Sequence, residues 1–259
     1  MTATLHMPRL SIVIVTYNSA GDIDACLESL VEHRPAIDHE IVVVDNASTD
    51  STAAAIRARW GGVRVIDAGA NLGFARANNL GIQQTFGPLI LLLNPDTSMP
   101  GGAVDTLVTV LEARPDVAIA GPRLVNGDGR AELSFGRMMS PLAELRQKFL
   151  VRWSQRAGPV AAYVESMTRK EQEVDWVSGA CMLVRRRDAE AAGLMDERYF
   201  MYAEDVDFCA AVRARGRKVL FAPSAEVVHL RGRSRATASA PTEVAYRRSQ
   251  MAFYEKHHP

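Results

Sequence analysis

Two acidic motifs hold the residue types in this chain best suited to chemistry. The first, Asn94-Pro95-Asp96, directly follows the apolar run Leu89–Leu93. Turn formation explains all three residues. A carboxylate ending so apolar a run is also placed to hold Mg2+ or Mn2+, which take oxygen ligands and a diphosphate together. The second motif is Glu204-Asp205-Val206-Asp207. Acids at a helix start complement the macrodipole, and Arg213 and Arg215 suit the other end. The chemical alternative is a general base beside two further carboxylates. Their repulsion raises its pKa while the helix N-terminus lowers it.

Asp45 closes four apolar residues and precedes Asn46-Ala47-Ser48. It is either a strand-end turn residue or a carboxylate accepting hydrogen bonds from a nucleobase or ribose. Asn71-Leu72-Gly73-Phe74-Ala75 reads as a loop opening a helix whose N–H groups could face phosphates, although glycine near a helix start is common. Asn78 and Asn79 are poor helix formers inside that helix, so at least one should make a specific contact. His229 lies in a strand-like stretch, where a lone histidine is more often structural than a ligand. Arg231, Arg233 and Arg235 follow, either clamping phosphates or lying as surface arginines.

These side chains need elements to position them. Apolar runs at Leu10–Thr16, 40–45, Val63–Asp67 and Leu89–Leu93 predict strands. Between them lie helical patterns at 20–32, at a helix capped by Ser48, Thr49 or Asp50 and running to Arg59, and at 74–84. A helix over 103–113 and a strand near 117–120 complete the series. Continuous apolar strands between amphipathic helices imply a parallel sheet covered on both faces. Such sheets bind ligands beyond the strands' carboxyl ends, where Thr16-Tyr17-Asn18, Asp45-Asn46, Asn71 and Asn94-Pro95-Asp96 all fall. The second half is less regular. It offers a turn at Asn126-Gly127-Asp128-Gly129, a basic helical stretch at 141–156, a strand pair or bent strand at 174–185, a helix at 204–215 closed by Gly216, and a strand at 219–222. The alternation ends near Pro122, which divides a single 1–259 domain into halves at 10–122 and 123–259.

A chain of 259 residues with 47% hydrophobic and 23% charged content folds into a globular core. Lys+Arg 30 balances Asp+Glu 30, giving no basic excess for nucleic acid. Cys26, Cys181 and Cys209 form no CxxC pair, as expected for buried, inert thiols in a reducing compartment. Residues 1–10 contain His6, Pro8 and Arg9 where a signal peptide needs an apolar core, and the apolar runs are far shorter than the ~20 residues of a membrane span. The expectation is a cytoplasmic protein. In 141–156, Leu142, Leu145, Phe149 and Trp153 lie among basic residues. That helix either packs on the core or, with its apolar face exposed, lies on the inner face of the cell membrane as a peripheral contact.

The motifs gain meaning from their order. SIVIVTYNS, VVVDNASTD, NLGFARANNLGI, LLLNPDT, WVSGACMLVRR, DERYFMYAEDVDFC and HLRGRS, spread over residues 11–234, resemble the family 2 inverting glycosyltransferases of the GT-A fold. The branch they most resemble is the rhamnosyltransferases of cell-surface polysaccharide synthesis. The resemblance implies an α/β, mostly parallel Rossmann-like sheet covered by helices. Residues 10–122 would form its nucleotide-sugar half and 123–259 an integrated acceptor and catalytic-base half. It implies Thr16, Tyr17, Asn18, Asp45 and Asn46 around the nucleoside, and Asn71, Gly73, Phe74, Asn78, Asn94 and Asp96 along the rest of the donor. Asp96 and His229 would hold Mg2+ or Mn2+, Asp205 would be the base, and Trp176, Glu204 and Arg231 would meet the acceptor. Asn94 departs from the family's Asp-x-Asp pattern, leaving Asp96 as its charged ligand. The implied reaction moves a sugar, with rhamnose from a dTDP donor ahead of other hexoses, onto a hydroxyl of a glycan or lipid-linked glycan.

Two rivals fit less well. A sugar nucleotidyltransferase wants a Gly-rich basic loop after the first strand, and Thr16-Tyr17-Asn18-Ser19 lacks one. A non-catalytic nucleotide-sugar binder needs no base, yet Asp96, Asp205 and His229 occur together.

Overall fold

The computed structural model describes residues 7–154, 156, 158–230 and 239–257. The expected run LSIVIVT forms β1 (Leu10–Thr16), buried along its whole length. Around it lie β2 (His39–Asp45), β3 (Val63–Asp67) and β4 (Leu89–Leu93), all parallel in the order β3-β2-β1-β4. Connecting them are α1 (Ile23–Glu32), α2 (Thr52–Arg59) and α3 (Phe74–Gln83). Alternate β1 side chains feed opposite faces. Ile12 and Ile14 join Ile23, Leu27 and Leu107 in one cluster, while Val13 and Val15 join Ala75, Ala77 and Phe208 in the other. Gly81 lets α3 settle on the sheet, since a Cβ there would lie 2.4 Å from Val13 Cγ1.

The chain continues through β5 (Thr97–Ser98), α4 (Ala103–Glu112), β6 (Val117–Val125), β7 (Phe135–Gly136), α5 (Pro141–Ser154) and α6 (Pro159–Met167). Then follow β8 (Gln172–Val174), β9 (Trp176–Val177), β10 (Cys181–Arg185), α7 (Arg186–Ala192), α8 (Glu204–Arg213), β11 (Lys218–His229) and α9 (Ser239–His257). β10 inserts antiparallel between β4 and β6, with Cys181 opposite Leu93. β11 runs parallel to β6 and also pairs with β5 and β8, so the sheet is mixed with a parallel core. β7 and β9 form a separate ribbon.

Two strands outrun their expected ends. β6 continues past Ala120 to Val125 because its partner β11 supports it and the segment is buried. Pro122 is tolerated there because β10 pairs only with Ile119 and Ala120, so Pro122 has a strand partner on one side alone. β11 continues past Ala222 through an irregularity between Ala222 and Glu226, which carries His229 opposite Thr97 of β5. The helix expected after Ser48-Thr49-Asp50 begins at Thr52, with Asp50 accepting the Thr52 N–H at 3.0 Å. α6 and α9 had no sequence signal. All three cysteines are free and buried, and burial pushes the Cys26 thiol up to about 12. Among the described residues no helix is long and apolar enough to cross a membrane.

Candidate active site

The carboxyl ends of β1 and β2 meet at Thr16 and Asp45, paired across the strands and both buried. Thr16 Oγ1 donates to Asp45 Oδ1 at 3.3 Å, and the Ser48 N–H donates to Asp45 Oδ2 at 3.1 Å. Tyr17 is exposed. Asn18 has a left-handed φ of 52°, and its Oδ1 accepts the Thr49 N–H at 2.8 Å and the Asp50 N–H at 3.4 Å. Asn18 therefore staples the loop after β2 to the loop after β1.

Asn46 is a buried strut. Its Nδ2 donates to Asn71 Oδ1 at 3.0 Å and Gly73 O at 3.3 Å, while its Oδ1 accepts the Leu72 N–H at 2.8 Å. The Gly73 N–H goes to Asn71 Oδ1 at 3.1 Å and the Phe74 N–H to Phe200 O at 2.7 Å. The Leu72, Gly73 and Phe74 N–H groups, among those expected to face phosphate at the start of α3, are thus taken by the protein itself. Gly73 is required here, with φ +80° and a Cβ position 2.4 Å from Phe200 O. Asn78 bonds back to Phe74 O at 2.9 Å. Asn79 makes the specific contact expected within this helix, donating to Met195 O at 2.8 Å and accepting the Met195 N–H at 3.0 Å.

Asn94-Pro95-Asp96 does form a turn, closed by the Thr97 N–H on Asn94 O at 3.3 Å. Asp96 Oδ1 lies 3.3 Å from His229 Nε2, and His229 Nδ1 lies 3.1 Å from Glu132 Oε2. Burial disfavours the imidazolium, but hydrogen bonds and attraction from Asp96 and Glu132 outweigh it and raise the His229 pKa. The geometry also fits a divalent cation. Neighbouring ligand atoms about 2.1 Å from an octahedral ion stand about 3 Å apart. A carboxylate on Nδ1 is the usual device for aiming Nε2 at a metal. Two protein ligands suit an ion that takes its remaining ligands from phosphate and water.

Asp205 is the second residue of α8, which follows Tyr202 and Ala203, both with left-handed φ (71° and 64°). Such backbone persists where surrounding structure enforces it. The Gly179 N–H donates to Asp205 Oδ2 at 3.0 Å and the Val206 N–H to Oδ1 at 2.8 Å. Glu204 is buried, and burial first, then the Asp205 charge, pushes its carboxyl well above the usual range. Asp207 is tied up structurally. It accepts from Lys256 Nζ at 2.8 Å and lies 2.7 Å from His257 Nε2, which moors α9 to α8. Trp176, part-buried on β9, donates to Arg137 O at 2.9 Å. Arg231, with Arg233 and Arg235, lies outside the described residues.

One short segment joins these motifs. Ala180 O accepts the Asn94 N–H at 2.9 Å, Gly179 bonds Asp205, and the Ser178 N–H donates to Ser134 O at 2.8 Å. Among the described residues, Asn94 Oδ1, Ser134 Oγ and Glu204 Oε2 are buried without hydrogen-bond partners. Native folds rarely leave such atoms orphaned, and a ligand or water usually explains them. Sequence reasoning missed Glu132, Ser134 and the Gly179 N–H. Each lies in a loop or short strand and gains its place through contacts distant in sequence.

The chain matches Glycosyl transferase family 2 over residues 11–190. It is 31% identical over 264 residues to an N-acetylglucosaminyl-diphospho-decaprenol L-rhamnosyltransferase of Mycobacterium tuberculosis, covering 96% of this chain and 85% of that one. It is 26% identical over 228 residues to rhamnosyltransferase WbbL of Escherichia coli K12, covering 84% and 82%. Its fold is similar to that of a mannosyltransferase from Pyrobaculum calidifontis solved with GDP-Man and Mn2+. That TM-score is 0.65 at 19% identity, covering 98% of this chain and 66% of the other. By its family match and its rhamnosyltransferase relatives, this chain belongs to glycosyl transferase family 2 and is a glycosyltransferase of the GT-A fold.

Proposed function

We propose that the protein transfers L-rhamnose from a dTDP donor, with inversion and with Mg2+ or Mn2+, to a hydroxyl of a lipid-linked glycan. The choice of sugar and of a lipid diphosphate acceptor is supported by the name of the mycobacterial relative, which aligns along nearly the whole chain. The chemistry is supported by one observation: segment 178–180 bonds Asn94 of the Asp96 turn on one side and Asp205 on the other. That arrangement suits a leaving group at Asp96 and a base at Asp205 on opposite sides of one sugar.

In this reading residues 10–122 hold the nucleotide sugar and 123–259 supply the base and the acceptor site, with Trp176 beside the acceptor. The two backbone N–H bonds hold the Asp205 carboxylate in a fixed orientation. Asp205 takes the acceptor hydroxyl's proton as the acceptor oxygen attacks the anomeric carbon, opposite the departing nucleotide diphosphate. A divalent cation held by Asp96 and His229 would neutralise charge on that diphosphate. Asn94 Oδ1, Ser134 Oγ and Glu204 Oε2 meet hydroxyls of the bound sugar. A neutral Glu204 can donate a proton in such a bond, and a carboxylate cannot.

The test is a thermal-shift panel of nucleotide sugars with Mn2+, Mg2+ or EDTA, followed by product analysis with a lipid diphosphate-linked acceptor. A donor at about 100 times its Kd should stabilise the fold by about 2.7 kcal/mol. Stabilisation by another nucleotide hexose alone would replace rhamnose, and equal nucleotide affinity in EDTA would remove the metal.

A further inference from the structure

Helices α5 and α6 carry little of the core. Among their described residues α5 buries Leu150 and α6 buries Val164, and no others. A helix packed on a globular core normally buries a continuous apolar stripe. Here the stripe faces water: Leu142, Leu145, Phe149 and Trp153, three or four residues apart on one side of α5, are 42–77% exposed. Tyr163 of α6 is exposed as well.

Cations surround this stripe. Arg146, Lys148, Arg152 and Arg156 are all exposed. The Arg156 guanidinium lies 5.1 Å from the Trp153 ring centre, and Arg146 donates to the Tyr163 hydroxyl at 3.1 Å. Arg146, Arg152 and Arg156 form no ion pair among the described residues, whereas the acids of the hairpin are engaged. Glu144 takes Lys148 and Gln250, and Glu165 takes Arg123 at 2.8 Å and Arg169 at 2.7 Å. The hairpin therefore presents net positive charge around its apolar stripe. It is also fixed in place, with Gln147 donating to Leu133 O at 3.3 Å and the α9 side chain Tyr254 to Glu144 at 3.4 Å. Through Leu133 and Phe135 it abuts the β7–β9 ribbon that carries Trp176.

We infer that this face of α5–α6 docks on the anionic surface of a lipid bilayer. The inference rests on the proposed lipid-linked acceptor and specifies where the protein meets the membrane. An exposed row of Leu, Phe, Trp and Tyr flanked by unpaired Arg is the composition that settles at a lipid headgroup boundary. The unpaired positive charge selects an anionic bilayer over a neutral one.

Flotation of the full chain with vesicles of phosphatidylcholine alone, or mixed with phosphatidylglycerol, tests this. The protein should float with the mixed vesicles at low salt and stay soluble with the neutral ones. Binding should fall at least about tenfold in Leu145→Ser/Phe149→Ser and in Arg146→Glu/Arg152→Glu, since each surface charge contributes close to tenfold when reversed. These side chains are exposed, so both variants should keep the wild-type melting temperature and the wild-type rate of donor hydrolysis in lipid-free buffer. Wild type remaining soluble with mixed vesicles overturns the inference, as does equal flotation of the variants. A wild-type dimer that the Leu145→Ser/Phe149→Ser variant dissolves, without flotation, assigns the face to a second copy of the chain instead. Failed flotation with intact donor hydrolysis sinks only the docking surface. Absent hydrolysis and absent transfer to a water-soluble acceptor would instead sink the proposed reaction.

Discussion

The loops after β1, β2 and β3 and the segment around Ser178–Ala180 border the same site but treat polar atoms differently. In the first region Asn18, Asp45, Asn46 and Asn71 bond one another's loops, and the Leu72, Gly73 and Phe74 N–H groups are all taken within the protein. In the second, Asn94 Oδ1, Ser134 Oγ and Glu204 Oε2 are buried with no hydrogen-bond partner among the described residues. A fully satisfied rim is rigid and already shaped before any ligand arrives. An unsatisfied one is costly alone and is relieved when a hydroxyl or water completes it. The contrast teaches that polar side chains at strand ends need not be ligand contacts. Many of them build the frame, and in the proposed reaction the orphans are the atoms that a bound sugar would complete.

The sharpest way to break this comparison is Asp205→Asn, which removes proton acceptance and, because its NH2 group cannot accept, keeps one of the two backbone N–H bonds that Asp205 receives from Gly179 and Val206. Turnover should fall about 10²–10⁴-fold with donor affinity barely moved. Steady-state kinetics showing turnover within a few-fold of wild type would leave Asp205 as a helix cap. Next comes Glu132→Gln, which leaves Asp96 and His229 in place but weakens the hold on the imidazole. Divalent-metal affinity, read by nucleotide binding during a metal titration, should drop about 10–100-fold. An unchanged titration would separate His229 from the metal.

Asn46→Ala tests the satisfied region. It orphans the Leu72 N–H, so urea unfolding should show a loss of about 1–3 kcal/mol. A neutral result would mean the strut is replaceable by water. The smallest effect belongs to Glu204→Gln and depends on pH. Because the folded Glu204 pKa is raised, wild-type stability is full below the ordinary value of about 4.3 and declines as pH rises toward the folded value. The amide cannot ionise, so the variant should match wild type near pH 4 and melt higher at pH 8. Each kcal/mol recovered is worth about 2–4 °C. Turnover should stay within a few-fold, since the amide still donates a hydrogen bond. Equal melting curves at pH 8 would show that Glu204 ionises freely.

The donor half was the more legible half. β1 and β4 begin and end where their apolar runs do, because strands buried along their whole length show an unbroken apolar pattern, while β3, an edge strand with Arg64 and Asp67 exposed, keeps its expected bounds through Val63, Val65 and Ile66. The ends of β6 and β11 were hidden because Pro122 and Pro223 resemble stops. Proline tolerance depends on which neighbouring strand needs the missing N–H, and that is a property of the sheet. α9 gave no periodic signal, and its mooring by Lys256 and His257 on Asp207 reaches back 49 and 50 positions in the chain.

The sequence by itself determined the layered α/β architecture and the motifs at Asp45, Asp96, Asp205 and His229, because strand periodicity and motif order are local properties. It could not assign their partners. That Asn46 props the loop before α3, that Phe200 O caps the Phe74 N–H, and that Glu132 aims His229 toward Asp96 were decided only by the tertiary structure. The physical reason is the same in each case. A polar side chain's role is set by which donors and acceptors fill its lone pairs and N–H groups, and here those groups come from residues 26 to 133 positions away.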